Sequence, residues 1–324
     1  MNNLSYIIQS VEQEMKAFIE LYKDSLKGHS ADFQSIIDYI SETDGKKIRP
    51  LLLLLTAKTC DNINQNTLNY ALVLELLHNA TLIHDDVVDE TKERRGRLSI
   101  NAKYGNKTAV LVGDYILSIA IMKAITIQNL HILEIISNLA VNLVEGELRQ
   151  LTISNGVTID EIHYFEVIKK KTAILFSSCT EMAALSVNSS EKIVEKLRLF
   201  GEYLGVCFQI KDDLFDYFEQ GEIGKPTGND IREGKITLPL IYALKHANEK
   251  ESKAMFEIIK NSNFTEKNIT LLINFAKNNG GTDYANEKMI EYKRKAIDLI
   301  EDFPKSEAKE SLFKLVDYII ERNK

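Results

Sequence analysis

Apolar residues recur at intervals of three and four positions along almost the whole chain, and this spacing constrains the fold more than any other feature. Such spacing places an apolar stripe along a helix, whereas a half-buried strand needs a spacing of two. Only four prolines interrupt the pattern, and a proline inside a helix removes a backbone hydrogen bond. The sequence therefore predicts an all-α protein with almost no strands.

The predicted helices are placed by this spacing to within a few residues at each end. They span residues 5–25, 31–41, 47–60, 67–90, 107–127, 130–152, 160–187, 191–219, 236–247, 251–261, 266–278, 283–301 and 307–322. Segments 67–84 and 107–127 are apolar most of the way round, so they are expected to form an inner layer. We predict a large helical bundle with an apolar centre.

The composition is typical of a globular protein. Of the 324 residues, 44% are apolar and 27% are charged, which is enough to bury a substantial core. Since no linker divides the chain, we predict a single domain over residues 1–324. The net charge of -7 leaves no broad basic surface, which argues against a nucleic-acid partner.

Cysteine usage and the amino terminus point to a cytoplasmic protein. Three widely spaced cysteines do not suggest a disulfide framework and fit a reducing compartment. The amino terminus lacks the basic, apolar and small-residue succession of a signal peptide. The most apolar segment, residues 109–127, contains Asp114 and Lys123, so a helix packed inside a helical protein explains it better than a membrane span.

Two copies of one acidic pattern are the main functional signal. They read Asp85-Asp86-Val87-Val88-Asp89 and Asp212-Asp213-Leu214-Phe215-Asp216. On a helix, positions i and i+4 put the first and last carboxylates on one face, with the middle one beside them. Mg²⁺ is usually held by one or two carboxylates together with phosphates and water. One copy alone fits a solvated acidic helix end, but the pair favours two groups of metal ligands around a diphosphate.

Basic residues after the first pattern and near the start of the chain could bind a diphosphate. Arg94-Arg95-Gly96 follows the first pattern where a helix is ending, and two guanidiniums there can bind phosphate oxygens in a forked geometry. Lys46 and Arg49 lie three apart on an opening turn near the start of the chain. Either cluster alone is more often a solvated surface.

A further set of basic residues lies around the second pattern. Lys171-Thr172 follows a lysine-rich stretch in which Lys169 and Lys170 are interpreted as exposed charge. Glycine and proline place Lys225 and Lys235 on loops, where a lysine can close over a phosphate.

His78 lies two helical turns before Asp85. A polar group in an apolar helix needs a partner. A satisfied core histidine and a ligand are both open interpretations of His78.

These motifs resemble the all-trans isoprenyl diphosphate synthase family, the polyprenyl synthetases, over residues 45–240. The first pattern with Glu93-Arg94-Arg95-Gly96 is similar to the family's first aspartate-rich motif. The segment 209–216, with Gly224-Lys225 and Gly234-Lys235-Ile236-Thr237-Leu238-Pro239, is similar to the second. Asp44 and Lys47 stand where the family often has Gly and Arg, which affects little beyond affinity for isopentenyl diphosphate.

The resemblance implies an isoprenoid-synthase-type fold and a set of site residues. Isopentenyl diphosphate would be bound by Lys46, Arg49, His78 and Arg95, and the allylic diphosphate by Arg94, Lys171, Lys225 and Lys235. The metal ligands would be Asp85, Asp86, Asp89, Asp212, Asp213 and Asp216, holding about three Mg²⁺ ions with substrate. Thr172 and Gln209 would stabilise an allylic cation with oriented dipoles. Catalysis would rest on Asp85, Asp86, Asp89, Lys171, Thr172, Gln209 and Asp212.

Product length is expected to depend on the helix below the first pattern, because one helical turn of about 5.4 Å is comparable to one isoprene unit. In the family, aromatic residues there stop growth early, whereas Ala80 and Thr81 are small. The resemblance thus implies a product longer than geranylgeranyl, with octaprenyl as the best estimate within a hexaprenyl to decaprenyl range. A deeper floor would come from Leu76, Leu77, Val73 or Met122. Ala80 could equally let two helices pack closely.

There are three alternatives to a long-chain polyprenyl diphosphate synthase. A short-chain farnesyl or geranylgeranyl diphosphate synthase would share every motif. A terpene cyclase would not need a second diphosphate site, and a noncatalytic lipid-binding partner subunit would have no reason to keep both acidic patterns. The resemblance also implies a homodimer, with transient membrane contact to release an apolar product.

Overall fold

The computed structural model describes residues 3–27, 31–42, 45–155, 159–218 and 227–322. Helices account for most of this part of the chain. The all-α prediction is therefore confirmed.

Helices follow one another along the chain with short connections. In chain order they are α1 (Asn3–Ile8), α2 (Glu12–Ser25), α3 (Ala31–Glu42), α4 (Ile48–Cys60), α5 (Gln65–Val88), α6 (Ile100–Tyr104), α7 (Asn106–Thr126), α8 (Leu130–Asn155), α9 (Glu161–Ile168), α10 (Ile174–Ser186), α11 (Glu191–Phe215), α12 (Asn229–Arg232), α13 (Leu238–His246), α14 (Glu249–Lys260), α15 (Glu266–Asn278), α16 (Gly281–Ile300) and α17 (Glu307–Glu321). A 3₁₀ turn (Gln9–Val11), a π-helical turn (Lys169–Ala173) and two strands, β1 (Glu93–Arg94) and β2 (Arg97–Leu98), complete the order.

The chain forms two compact units. The first consists of Met1–Ala140, Ser178–Arg198 and Phe303–Leu315, and the second of Val141–Ser177, Leu199–Asp302 and Val316–Lys324. The single prenyl-synthase domain over residues 1–324 stays a prediction.

Helix α5 is the main element of the first unit. Its start is fixed by a capping box, in which the Asn64 side chain accepts from the Thr67 backbone N–H and the Thr67 hydroxyl accepts from the Asn64 N–H. Its apolar residues are buried between α4 and α7, as the expected inner layer requires. The last turn of this buried helix carries the first acidic pattern.

Helix α7 is buried on one side only, contrary to the prediction of an inner helix for residues 107–127. One face packs on α5, whereas the opposite face exposes large apolar side chains. These are Val110, Leu111, Ile121, Met122 and Ile125. By length and composition α7 could cross a membrane, although 39% of its apolar window is buried within the protein.

The second unit has an apolar cluster built from α13, α15 and the residues that follow α11. Tyr217 and Ile231 are buried in it together with Leu240 and Leu272. The Tyr217 hydroxyl is within 3.0 Å of the Thr237 hydroxyl, so the buried phenol has a hydrogen-bond partner. This cluster supports the segment that follows the second acidic pattern.

Three local features differ from the predicted helices. The first predicted helix is divided by the 3₁₀ turn, segment 160–187 contains the π-helical turn, and β1 pairs with β2 in a small hairpin. Each difference is a short-range backbone feature that apolar spacing does not encode.

Candidate active site

The first acidic pattern lies where α5 ends. Asp85 is on the last turn and is partly exposed, and Asp89 follows the helix as its exposed carboxyl-terminal cap. Asp86 is different, because it is 2% exposed and its carboxylate is held by the Arg94 guanidinium. Arg94 Nε lies 2.8 Å from both Asp86 oxygens. Within this pattern, the middle carboxylate therefore orients an arginine.

The hairpin explains how two adjacent arginines take different directions. Arg94 pairs with Arg97, so Arg95 and Gly96 form a two-residue loop. Both have positive φ angles of 54° and 76°, as the tightest hairpin turns require. The sequence predicts the end of the helix but not this turn, since arginine rarely adopts a positive φ.

Arg95 lies against the segment that contains Lys46 and Arg49. A Cβ placed on Gly45 would be 2.4 Å from the Arg95 Cζ atom, so the Arg95 guanidinium lies directly against the Gly45 backbone. Lys46 is exposed and Arg49 is partly buried at the start of α4. The structure thus brings the two predicted basic clusters of the first unit together.

Lys47 faces inward, away from the direction expected of a phosphate ligand. Its ammonium lies 3.1 Å from the Glu75 carboxylate, with both side chains 7% exposed. It also lies 3.9 Å from the centre of the Tyr22 ring. Glu75 was not among the residues predicted from the sequence, although a carboxylate in an apolar helix needs a buried cation as a partner. Lys47, which stands where the family often has Arg, is therefore part of a structural ion pair.

His78 is buried among the arginines of the first unit. Burial first, and then the positive charges of Arg49, Arg95, Arg94 and Lys47, hold the His78 pKa well below its usual range. The ring is therefore neutral at neutral pH. It can donate a hydrogen bond to a phosphate oxygen without adding a charge.

The second acidic pattern is part of a hydrogen-bonded chain inside the second unit. The Thr172 hydroxyl donates to Gln209 Oε1 at 2.5 Å, and Gln209 Nε2 donates to Asp213 Oδ1 at 2.8 Å. The Tyr164 hydroxyl donates to Asp213 Oδ2 at 2.6 Å. Both oxygens of this middle carboxylate are thus engaged, as with Asp86 in the first pattern. Tyr164 had no signal in the sequence beyond an aromatic residue on a helix.

Burial raises the pKa of Asp213, and the nearby Asp212 and Asp216 carboxylates add to the rise, while Tyr164 and Gln209 oppose it. Burial also raises the pKa of Asp230, with Asp213 as the next cause. Asp230 is a further carboxylate that the sequence analysis did not select. The cluster concentrates negative charge that a cation would relieve.

The outer carboxylates of this pattern have other partners. Asp216 accepts from the backbone N–H groups of Asn229 and Asp230 at 2.8 and 2.9 Å, which holds the start of α12. Asp212 forms an ion pair with Arg322, which follows α17. Asp216 therefore orders the chain after the motif, and Asp212 contacts the carboxyl-terminal segment.

The π-helical turn contains two of the predicted site residues, Lys171 and Thr172. Such turns add one residue to a helical turn and often occur at functional sites. A Cβ on Gly205 of α11 would be 2.5 Å from the Ala173 Cα, so this turn packs directly against α11. Lys171 forms an ion pair with Glu147 at 2.5 Å.

Lys169 and Lys170 form ion pairs with Glu202 and Glu145 and contribute no side chain to the cavity described next. Lys169 is exposed, as interpreted from the sequence, whereas Lys170 is partly buried.

A cavity of about 150 Å³ lies beside this network in the second unit. Lys171, Thr172, Gln209, Asp213 and Lys235 line it together with apolar residues of α9 and α13. Lys235 also forms an ion pair with Glu233 at 2.7 Å. Lys225 lies outside the described residues. The second unit therefore places five of its predicted site residues around one cavity, whereas Asp212 and Asp216 do not line it.

The residues assigned to product length are mostly buried in α5. Ala80, Leu77, Leu76 and Val73 are each 2% exposed or less, and the Thr81 hydroxyl bonds back to the His78 carbonyl. Met122 is 60% exposed on the outer face of α7. The expectation that Met122 forms a deeper floor below the growing product is therefore wrong for a single chain.

The carboxylates of the two patterns suit a metal that is shared with a substrate. In the part of the chain that the structure describes, no group of three His, Cys, Asp or Glu side chains could hold a metal ion alone. Asp85, Asp89 and Asp212 are nonetheless at least partly exposed carboxylates. Each pattern therefore offers an accessible carboxylate of the kind that fits Mg²⁺, which usually takes one or two carboxylates and completes its coordination with phosphates and water.

Comparisons with known proteins identify the family of this chain. Residues 30–275 match the polyprenyl synthetase family. An octaprenyl diphosphate synthase from Haemophilus influenzae is 37% identical over 286 residues, 88% of this chain and 87% of that protein. The chain therefore belongs to the polyprenyl synthetase family, as its motifs predict.

Two solved structures show the same fold. A polyprenyl synthase from Caulobacter crescentus, complexed with calcium and isoprenyl diphosphate, superposes with a TM-score of 0.91 at 30% identity, covering 99% of this chain and 98% of that one. A geranylgeranyl pyrophosphate synthase from Bacteroides thetaiotaomicron superposes with a TM-score of 0.86 at 40% identity, covering 99% and 100%. The isoprenoid-synthase-type fold is confirmed.

Proposed function

We propose that this protein is a Mg²⁺-dependent trans-prenyltransferase that condenses isopentenyl diphosphate onto an allylic diphosphate. The observation that carries the proposal is that both acidic patterns are complete and built alike. In each, a buried middle carboxylate is held by hydrogen bonds while the first carboxylate stays partly exposed. The two patterns would bind one allylic diphosphate through divalent ions.

The chemistry of the donor set supports a divalent cation, as does the calcium in the structure of the relative. Asp85, Asp89 and Asp212 would hold the ions together with substrate oxygens. When bound, Mg²⁺ would draw electron density from the diphosphate and so weaken the bond between its oxygen and the allylic carbon. About three ions per site are part of the proposal.

The remaining side chains fall into those that would bind a negatively charged diphosphate and those that would face the positive charge of the allylic cation. Arg94, Lys171, Lys225 and Lys235 would bind the allylic diphosphate, and Lys46, Arg49, His78 and Arg95 that of isopentenyl diphosphate. The Thr172 and Gln209 dipoles, fixed by their mutual hydrogen bond, would face the developing positive charge. Released diphosphate would take the proton from the condensed product, so no side chain has to act as the base.

A product longer than geranylgeranyl, with octaprenyl as the best estimate, is supported by the small Ala80 below the first pattern and by the octaprenyl diphosphate synthase relative. The 40% identity to a geranylgeranyl pyrophosphate synthase favours the shorter product as a second candidate. The two candidates use the same chemistry and differ in where chain growth stops.

The outer face of α7 supports a homodimer. Contiguous exposed apolar side chains mark protein interfaces, and this helix presents five of them on one side. We extend the proposal to a soluble, cytoplasmic homodimer in which the whole chain acts as one prenyl-synthase domain. Transient membrane contact would serve to release the product.

One incubation separates the classes of function. The protein is mixed with Mg²⁺, geranyl or farnesyl diphosphate and labelled isopentenyl diphosphate. An elongating enzyme incorporates label into acid-labile products, and Asp85→Ala with Asp212→Ala abolishes incorporation. A cyclase would consume the allylic substrate without label, and a noncatalytic subunit would consume neither, so either result would refute the proposal.

A further inference from the structure

The carboxyl-terminal end of α17 contacts the second acidic pattern through Arg322. Phe208, Asp212 and Phe215 lie at positions i, i+4 and i+7 of α11 and so share one helix face. The Arg322 guanidinium donates to Asp212 Oδ1, and its Cζ atom lies 3.9 Å from the centre of the Phe208 ring. One arginine thus covers the face that presents Asp212.

Several contacts other than Asp212 hold Arg322 in place. Its guanidinium also reaches the Phe208 carbonyl at 3.4 Å and lies 5.6 Å from the Phe215 ring. Its side chain is only 14% exposed, against 41% for Asp212. Its buried Nε makes no hydrogen bond, so the position of this side chain is set by packing as much as by charge.

A fixed cation beside a partly exposed carboxylate restricts how the carboxylate can point. The hydrogen bond from Arg322 goes to Oδ1, so the Oδ2 side of the group is turned in a defined direction. Groups that orient metal ligands in this way raise ligand affinity for the metal. The positive charge of Arg322 would repel a bare cation, but Asp213, Asp216 and a bound diphosphate supply negative charge that offsets this repulsion.

We propose that Arg322 is a positioning residue that orients Asp212 for a divalent cation and thereby couples the carboxyl-terminal segment to the binding of metal and diphosphate. The inference rests on the proposed function of Asp212. It adds a residue from outside both acidic patterns to the site.

The test measures binding of inorganic diphosphate in the presence of Mg²⁺ by calorimetry. Arg322→Gln removes the charge while keeping a long polar side chain, and it should weaken binding by roughly 10-fold to 100-fold. Arg322→Lys should recover part of the loss, and it serves as the folded variant should Arg322→Gln fail to fold. In an Asp212→Asn background, Arg322→Gln should cause no further loss, because the residue acts through Asp212.

The matched control is Lys293→Gln. Lys293 pairs with Asp317 at 2.7 Å and so ties the same helix, α17, to α16 without touching an acidic pattern. This variant should bind as the wild type does. Three results would overturn the inference, provided that the wild-type protein binds diphosphate. They are wild-type affinity in Arg322→Gln, tighter binding in Arg322→Gln, and a loss from Arg322→Gln that is equally large in the Asp212→Asn background. A wild-type protein that binds no diphosphate would overturn the proposed function and this inference with it.

Discussion

At the scale of single residues, the structure separates the carboxylates of each acidic pattern by their surroundings. Asp86 and Asp213 are buried and hydrogen-bonded by Arg94 or by Tyr164 and Gln209. Asp85 and Asp212 are partly exposed. The sequence treats all of these residues as metal ligands, because residue type and spacing do not show which carboxylates are covered by neighbours.

His78 provides a pH-dependent prediction. Its lowered pKa means that the folded protein keeps the ring neutral, whereas the unfolded chain binds a proton below a pH of about 6.5. The unfolded state thus binds more protons at acidic pH, so this group destabilises the fold progressively as the pH falls from about 8 to about 5.

The measurement is urea unfolding of wild type and His78→Gln at the two ends of this range, about pH 8 and about pH 5.5. The stability advantage of the wild type should shrink at the lower pH, since the variant lacks the titrating group. His131→Gln, at an exposed position, is the control. A wild-type advantage that is constant across this range would contradict the buried, neutral state of His78.

At the scale of elements, the π-helical turn determines where Lys171 and Thr172 point. Deleting Lys170 would restore a regular helix and turn the residues on one side of the deletion by about 100°. The hydrogen bond between Thr172 and Gln209 would then be lost. Turnover should fall by about 100-fold or more, because small misplacements of catalytic groups have effects of this size.

Lys170→Ala is the matched control, since it removes the ion pair with Glu145 and keeps the turn. Circular dichroism checks that both variants remain helical. A deletion variant with near-normal turnover would show that the π-helical turn does not position the site.

Helix α5 provides a prediction about product length. Ala80 is 1% exposed, about one and a half turns before Asp85, so Ala80→Tyr would place a ring where the product is proposed to grow. The expected result is a shorter main product, at a cost in stability of about 1–3 kcal/mol from overpacking. Chromatography of the dephosphorylated alcohols measures it, with Ala80→Ser as the control. An unchanged length distribution would remove Ala80 from the growth path.

The helices were largely predictable from sequence, because apolar spacing reports directly which face of a segment is buried. Residues 266–278, for example, form α15 with the predicted bounds. The hairpin turn at Arg95 and the π-helical turn at Lys171 were not predictable, since both depend on tertiary packing that outweighs local preference. For the same reason, Tyr164 and Arg322, which contact the second acidic pattern, had no recognisable signal.

At the scale of the whole molecule, the exposed face of α7 predicts self-association. A double variant with Leu111→Glu and Met122→Glu places charges in that face and should convert a dimer to a monomer, because buried unpaired charges are costly. Light scattering after size-exclusion chromatography measures the mass. Leu271→Glu, at an exposed apolar position on α15, is the control and should remain dimeric. A monomeric wild type, or a double variant that stays dimeric, would count against this interface.

The central proposal is that both acidic patterns are needed to bind an allylic diphosphate. The most direct measurement is calorimetry of an unreactive allylic thiolodiphosphate with Mg²⁺ for wild type, Asp85→Asn, Asp212→Asn and the double variant. The account predicts that each single change weakens binding by at least about 10-fold, and that the loss in the double variant is well below the product of the two factors. Independent losses that multiply, or a single change without effect, would contradict it.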